Sequence, residues 1–192
     1  MRGTADRMEA LRRFAAGEAS GRVVEIGCGT GLNFDVYDWH RIDHLDACEP
    51  DPFMLKRARQ RLERLPAGVQ EKVTLHEVPA EALPFEDATY DCAVSTLVLC
   101  TVADPLASTR ELRRVLKPGG RLRLVEHVRG SGVLATFQAA IQPVWGWTAA
   151  GCHLNRNTEL AVAAGGLRLQ VQERFSLGPF LPAIRGIAVR DP

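Results

Sequence analysis

The sequence lacks the features that mark a membrane-spanning, secreted or nucleic-acid-binding protein. No run of 18 or more consecutive apolar residues is present, and the nearest approach, residues 132–151, is interrupted by Gln138, Gln142 and Pro143. The N-terminal stretch MRGTADRMEALRRF has no apolar core of a signal peptide, so we expect a cytoplasmic protein. Lys plus Arg number 24 and Asp plus Glu number 23, a net charge of +1 that disfavours a nucleic-acid partner.

The sequence also lacks the cysteine spacing that is typical of cross-links or metal sites. The chain has five cysteines, an odd number, and none of them form a C-x-x-C pair. This pattern disfavours both a disulfide framework and a zinc finger, and we expect no metal site. With 192 residues, of which 46% are hydrophobic, the chain has the size and composition of one globular domain spanning residues 1–192.

The order of the predicted elements indicates an α/β fold. Short apolar runs at 23–26, 45–49, 73–78, 92–95 and 121–128 predict strands, and helical patterns separate most of them, beginning with a helix in residues 1–20. Asp51-Pro52 and Asp104-Pro105 each have the pattern of a helix N-cap followed by proline. This alternation predicts a doubly wound, mostly parallel sheet with helices on both faces. Two extended runs at 167–175 and 184–190 have no helix between them, which favours an antiparallel pair at the sheet edge.

A glycine-rich turn follows the first predicted strand and carries the strongest chemical signal. In EIGCGTG, residues 25–31, glycines at 27, 29 and 31 let backbone N–H groups approach a ligand. A dinucleotide site would need glycine at position 32, which is Leu32. Glu25 suits the ammonium of an amino-acid moiety, and Glu49, after the second strand, can accept both hydroxyls of a ribose. S-adenosylmethionine carries both groups and no phosphate.

At these residues the sequence resembles the class I S-adenosylmethionine-dependent methyltransferases, over about residues 23–128. ACEPDPFML resembles the family's second-strand segment, VPAEALPF the loop against adenine, and YDCAVSTLVLCTV the fourth strand with the loop beneath the methionine part. The resemblance implies a seven-stranded sheet with an antiparallel last strand, S-adenosylmethionine as cofactor and S-adenosylhomocysteine as product. The cofactor-binding residues implied by these motifs are Glu25, Gly27, Cys28, Gly29, Gly31, Asn33, Glu49, Pro50, Ala80, Glu81, Thr96 and Leu97.

A narrower resemblance concerns the methyl acceptor. TLVLCTV, EHV at 126–128 and PVWGWTAAGCHLNRNT at 143–158 are similar to segments of the methyltransferase-like small-molecule thiol methyltransferases. This similarity implies a small-molecule acceptor, preferably a thiol. His127 is the predicted catalytic residue, because it ends the fifth strand and an imidazole can take the proton of a thiol. Segment 130–157 is predicted to be a lid over the acceptor, and the predicted substrate-contacting residues are Cys100, Trp145, His153 and Arg156.

Several alternatives remain open at this stage. The same fold methylates amines and oxygens, including lipid head groups. A non-catalytic S-adenosylmethionine-binding module would retain the fold, and a nicotinamide-dependent dehydrogenase shares the strand–turn–helix unit, although Leu32 disfavours it. The apolar stretch 132–150 fits a helix packed on the sheet, an acceptor-site lid or, less well without Lys or Arg, a helix on a membrane surface. The oligomeric state is not predicted.

Overall fold

A single seven-stranded sheet organises the chain. The computed structural model describes residues 2–149 and 151–192. The sheet has the strand order β3-β2-β1-β4-β5-β7-β6, in which β7 runs antiparallel to the other six strands. The strands are β1 (Gly21–Ile26), β2 (Ile42–Cys48), β3 (Val73–His76), β4 (Tyr90–Thr96), β5 (Leu116–His127), β6 (Arg168–Ser176) and β7 (Pro182–Val189). The α/β prediction and the antiparallel C-terminal pair are confirmed.

Helices cover both faces of the sheet. They are α1 (Arg2–Ala15), α2 (Pro52–Leu62), α3 (Ala67–Gln70), α4 (Pro105–Val115), α5 (Gly132–Thr148) and α6 (Thr158–Ala164), with a short 3-10 helix at Leu32–Asp35. Helices α1 and α2 pack on one face through buried residues such as Leu11 and Leu55. Helices α4 and α6 pack on the other, through Leu112 and Val162. No described helix is long and apolar enough to cross a bilayer.

The two Asp-Pro pairs begin helices, as predicted. The Asp51 carboxylate accepts hydrogen bonds from the N–H groups of Phe53 and Met54, and Asp104 does the same for Leu106 and Ala107. Each aspartate therefore satisfies two of the free donors at a helix N-terminus. Strand β5 is longer than the predicted run at 121–128 because it begins at Leu116, which pairs with Tyr90 before a shift in register that leads to Arg121.

Helix α5 turns Gln138 and Gln142 inward beside apolar residues that are partly buried, so its packed side is mixed rather than the apolar side expected from the sequence. Its role as a lid stays a prediction. Gln138 is fully buried, whereas Val144 and Trp147 are 70% and 88% exposed. The amide of Gln138 bonds to Gly130 N and Phe180 O, and that of Gln142 bonds to Cys152 O and Leu154 N. The glutamines face inward because the loops beneath the helix present backbone groups that need partners.

A buried arginine on β5 joins α1 to the sheet. The Arg123 guanidinium donates to the carbonyls of Phe14 and Ala15, at the C-terminal end of α1, and to the carboxylate of Glu18. A cation at this end of a helix satisfies carbonyls that have no partner within the helix. The position of α1, and therefore of any side chain that α1 contributes to a site, depends on this contact.

We predict that Arg123→Met lowers the free energy of unfolding by about 2–3 kcal/mol, because it leaves buried carbonyl groups without a charged donor. Denaturant unfolding measures the loss. Arg121→Met is the matched control, since Arg121 lies two residues earlier on the same strand and is exposed; its effect should stay within about 0.5 kcal/mol. Equal losses for the two variants would contradict the role given to Arg123.

Candidate active site

The main cleft of the molecule lies where β1, β2 and β4 end. It has a volume of about 750 Å³, within the usual range for a small-molecule site. Gly27, Glu49 and Leu97 each follow directly on one of these strands. Because the strands are parallel, their carboxyl ends meet at one edge, which is the usual ligand position in open α/β sheets. The lining residues are Arg12, Gly27, Cys28, Gly29, Thr30, Leu32, Glu49, Pro50, Asp51, Met54, Pro79, Ala80, Glu81, Thr96, Leu97, Val98, Thr101, Val102 and Ala103.

Most of the predicted cofactor-binding residues lie on this cleft. The sheet brings together Gly27, Cys28, Gly29, Glu49, Pro50, Ala80, Glu81, Thr96 and Leu97. Glu25, Gly31 and Asn33 are not part of the lining. Arg12 is a lining residue that the sequence did not indicate, because its approach depends on how α1 docks. Most of the other unpredicted lining residues lie within the motifs that carry the resemblance, and Leu32 and Ala103 lie directly after them.

The glycine turn requires glycine for two different reasons. Gly27 and Gly29 have φ angles of 56° and 57°, in the left-handed region that other residues rarely adopt. A Cβ on Gly27 would lie 2.6 Å from both methyl groups of Val98, so the turn and the wall after β4 are in close contact. A Cβ on Gly29 would meet nothing within 4 Å. Glycine is therefore required at position 27 by both the φ angle and the packing, and at position 29 by the φ angle alone.

Glu49 is the acidic group at the end of β2. Its carboxylate accepts hydrogen bonds from Gly29 N at 2.9 Å and from Asp51 N at 3.0 Å. These two bonds hold the side chain between the glycine turn and the start of α2, on the cleft surface. A carboxylate fixed in this position suits the two hydroxyls of a ribose. Ribose binding by Glu49 stays a prediction.

Glu25 is completely buried, and its two carboxylate oxygens already have partners. Asn33 donates to one oxygen at 2.7 Å and the Tyr37 hydroxyl to the other at 2.9 Å. Burial raises the pKa of Glu25 to about 7, against the opposing effect of these hydrogen bonds. Asn33 also donates to Thr96 Oγ1 and accepts from Arg12, and both of these residues line the cleft. In this structure Glu25 is connected to the cleft through other side chains rather than exposed in it.

His127 is enclosed at the end of β5. It is 2% exposed, it does not line the cleft, and neither ring nitrogen has a hydrogen-bond partner among the described residues. Desolvation lowers the pKa of His127 to about 4, so the imidazole is neutral at pH 7. A base role requires an acceptor to reach this ring, and it stays a prediction.

The predicted substrate residues Cys100, Trp145, His153 and Arg156 do not line the cleft, although three of them meet behind its wall. His153 N donates to Cys100 O at 2.9 Å, and the Arg156 guanidinium donates to the carbonyls of Leu99 and Val102. Cys100 is buried, and its thiol faces that of Cys152, which together with burial raises its pKa. Segment 130–157 thus supports the wall that carries Val98 and Val102 and supplies none of the lining.

The chain is similar to methyltransferases in sequence and in fold. Residues 24–124 match a family model described as a methyltransferase domain. A thiol S-methyltransferase of Rattus norvegicus is 34% identical over 147 residues, 71% of this chain and 55% of the relative. A phosphatidylethanolamine N-methyltransferase of Cereibacter sphaeroides is 32% identical over 163 residues, 83% of this chain and 75% of the relative. The crystal structure of an S-adenosylmethionine-dependent methyltransferase from Mesorhizobium loti has a TM-score of 0.72 and 20% identity, covering 94% of this chain and 96% of that one.

The position of Glu49 generates a binding prediction. Glu49→Gln should weaken S-adenosylhomocysteine binding by about 10- to 100-fold, because a hydrogen bond to a charged group contributes about 1.5–3 kcal/mol. Isothermal titration calorimetry measures the affinity, and thermal melting checks the fold. Asp43→Asn, an exposed acid on the same strand, is the control and should bind normally. Normal binding by a well-folded Glu49→Gln protein would remove the ribose role.

Proposed function

This chain belongs to the class I S-adenosylmethionine-dependent methyltransferases, and on that premise we propose that it methylates a small-molecule thiol. The enzyme class and the cofactor follow from the family. The acceptor is the proposal. The chain spans 55% of the thiol S-methyltransferase and 75% of the phosphatidylethanolamine N-methyltransferase with which it was compared, and these two relatives point to different acceptors.

The chemistry of the cleft wall favours the thiol. After Thr96, the lining on the β4 side consists of Leu97, Val98, Thr101, Val102 and Ala103. Among the described lining residues, this wall carries no charged side chain, whereas a phospholipid head group presents an ammonium and a phosphate that both need charged or polar partners. A small apolar thiol makes no such demand. This apolar wall is the observation that carries the proposal.

The cleft residues would act mainly by holding the methyl donor and the acceptor close together, rather than by activating either of them. The sulfonium of the cofactor is already an activated methyl donor, so the protein has mainly to hold donor and acceptor in line. Glu49 and the glycine turn would hold the nucleoside end, and Thr96 and Leu97 the methionine end. The thiol must ionise, because the thiolate is the nucleophile. Cys28 is no competitor for the methyl group, since burial and the nearby Glu25 and Glu49 carboxylates raise its pKa and keep it protonated.

A methylation screen tests the acceptor class. We expect S-adenosylhomocysteine formation with small aliphatic or aromatic thiols, at a rate that rises with pH toward the ordinary thiol pKa of about 8.5. Matched acceptors in which the thiol is replaced by a hydroxyl or an amine serve as controls. Vesicles containing phosphatidylethanolamine test the lipid alternative. Turnover with the hydroxyl analogues, the amine analogues or the vesicles, but not with the thiols, would overturn the thiol proposal and would still show methyltransferase activity.

His127 gives a second test of the same chemistry. If its imidazole takes the thiol proton, His127→Ala lowers kcat at pH 7 by at least about tenfold, and the deficit shrinks as pH rises and the thiol ionises unaided. Binding of S-adenosylhomocysteine should change little. A kcat deficit that is independent of pH and accompanied by a lower melting temperature would show instead that the enclosed ring acts only in packing.

A further inference from the structure

The cleft wall that faces the proposed acceptor is a single turn held from both sides. Residues 98–102 form this turn, in which the N–H groups of Thr101 and Val102 donate to Val98 O at 2.8 and 3.1 Å. The turn follows Leu97, a non-glycine residue with a φ of 59°. Such a conformation persists only where the surrounding contacts hold it, so these contacts decide where the wall lies.

Glu126, on the neighbouring strand β5, holds the N–H side of the turn. Its side chain is fully buried, and Oε1 accepts from Ser95 Oγ at 2.6 Å and from Val98 N at 3.0 Å. Desolvation raises the pKa of Glu126 to about 7, and the N–H groups of Leu99 and Cys100, which also face the carboxylate, oppose this shift. Oε2 has no partner of normal hydrogen-bond geometry among the described residues. A buried carboxylate of this kind is costly unless nearby donors stabilise it, which ties it closely to the turn.

Arg156, in the segment after α5, holds the carbonyl side of the same turn. Its Nη1 donates to Leu99 O at 3.1 Å and to Val102 O at 2.6 Å. Arg156 O in turn accepts from Arg129 N at 2.9 Å, which fixes the backbone of the arginine. The turn therefore has a carboxylate against its N–H groups and a guanidinium against its carbonyl groups.

We propose that Glu126 and Arg156 are positioning residues for methyl transfer, which act by clamping the turn at residues 98–102 against the glycine turn and so fix where the acceptor meets the methyl group. The contact that transmits the effect is Val98 on Gly27, whose missing Cβ leaves room for both Val98 methyl groups. The inference rests on methyl transfer and on the acceptor lying against this wall. It does not require the acceptor to be a thiol.

Removal of the carboxylate tests the clamp. In Glu126→Leu, hydrogen–deuterium exchange of the 98–100 amides should become at least about tenfold faster, because their acceptor is lost. The kcat should fall by about 10- to 100-fold, the loss expected for a misplacement of about 1 Å, with little change in KM for S-adenosylmethionine. Glu126→Gln keeps an acceptor oxygen for Ser95 and Val98 and should restore part of both losses.

Asp91→Asn is the matched control. Asp91 also accepts a backbone hydrogen bond, from Arg22 N at 2.9 Å, but it lies at the opposite end of β4. This variant should leave kcat and the exchange of residues 98–100 unchanged. The activity assay uses whichever acceptor wild-type protein methylates in the screen, so a failed thiol proposal does not affect it, and the exchange measurement needs no acceptor.

Arg156→Met tests the other side of the clamp and replaces Glu126→Leu if that variant does not fold. The clamp predicts faster exchange in residues 99–102 and a lower kcat with an unchanged KM for the acceptor. A direct substrate contact predicts a higher acceptor KM with normal exchange. Wild-type kcat in folded Glu126→Leu or Arg156→Met, or unchanged exchange of the turn, would overturn the proposal.

Discussion

The constraint on which the site depends is that β1, β2 and β4 are parallel neighbours and end at the same edge. The glycine turn, Glu49 and Leu97 are brought together because each is the continuation of one of these strands. The groups are then fixed by short contacts between the continuations. Gly29 N donates to Glu49, and the Val98 methyl groups occupy the space that a Cβ on Gly27 would need. The parallel sheet thus brings the three segments together, and these contacts fix the shape of the cleft that they form.

The same edge of the sheet holds buried titratable groups that make the stability of the fold depend on pH in opposite directions. Burial raises the pKa values of Glu25 and Glu126 to about 7 and lowers that of His127 to about 4. The folded state binds the protons of the two glutamates more tightly than the unfolded chain does, so the stability they contribute at low pH is lost as pH rises through about 7. For His127 the unfolded chain binds the proton more tightly, so its contribution is lost as pH falls from about 6.5 to about 4.

The sequence was informative where chemistry depends on neighbours along the chain, and less so where it depends on packing. The glycine turn, the two Asp-Pro caps and Glu49 were predicted because each follows from residues within one segment. Arg12 was missed because it reaches the cleft only through the docking of α1 on Arg123. The inward position of Gln138 and Gln142 in α5 was not predicted, because their partners are backbone groups of loops outside the helix, which the periodicity of the helix does not reveal. The contacts of Arg156 could not be predicted for the same reason, because the carbonyl groups that it binds lie more than 50 residues earlier in the sequence.

The cleft lining ends at Ala103, although the chain continues to residue 192. Among the described residues, those that follow Ala103 complete the sheet, cover one of its faces and contact the turn at residues 98–102, but they supply none of the lining of this cleft. Changes in this later part of the chain can therefore shift the turn at residues 98–102 without altering Glu49 or the glycine turn. In a fold divided in this way, substitutions near Glu126 or Arg156 can reshape the cleft where β4 ends while the groups at the ends of β1 and β2 stay the same.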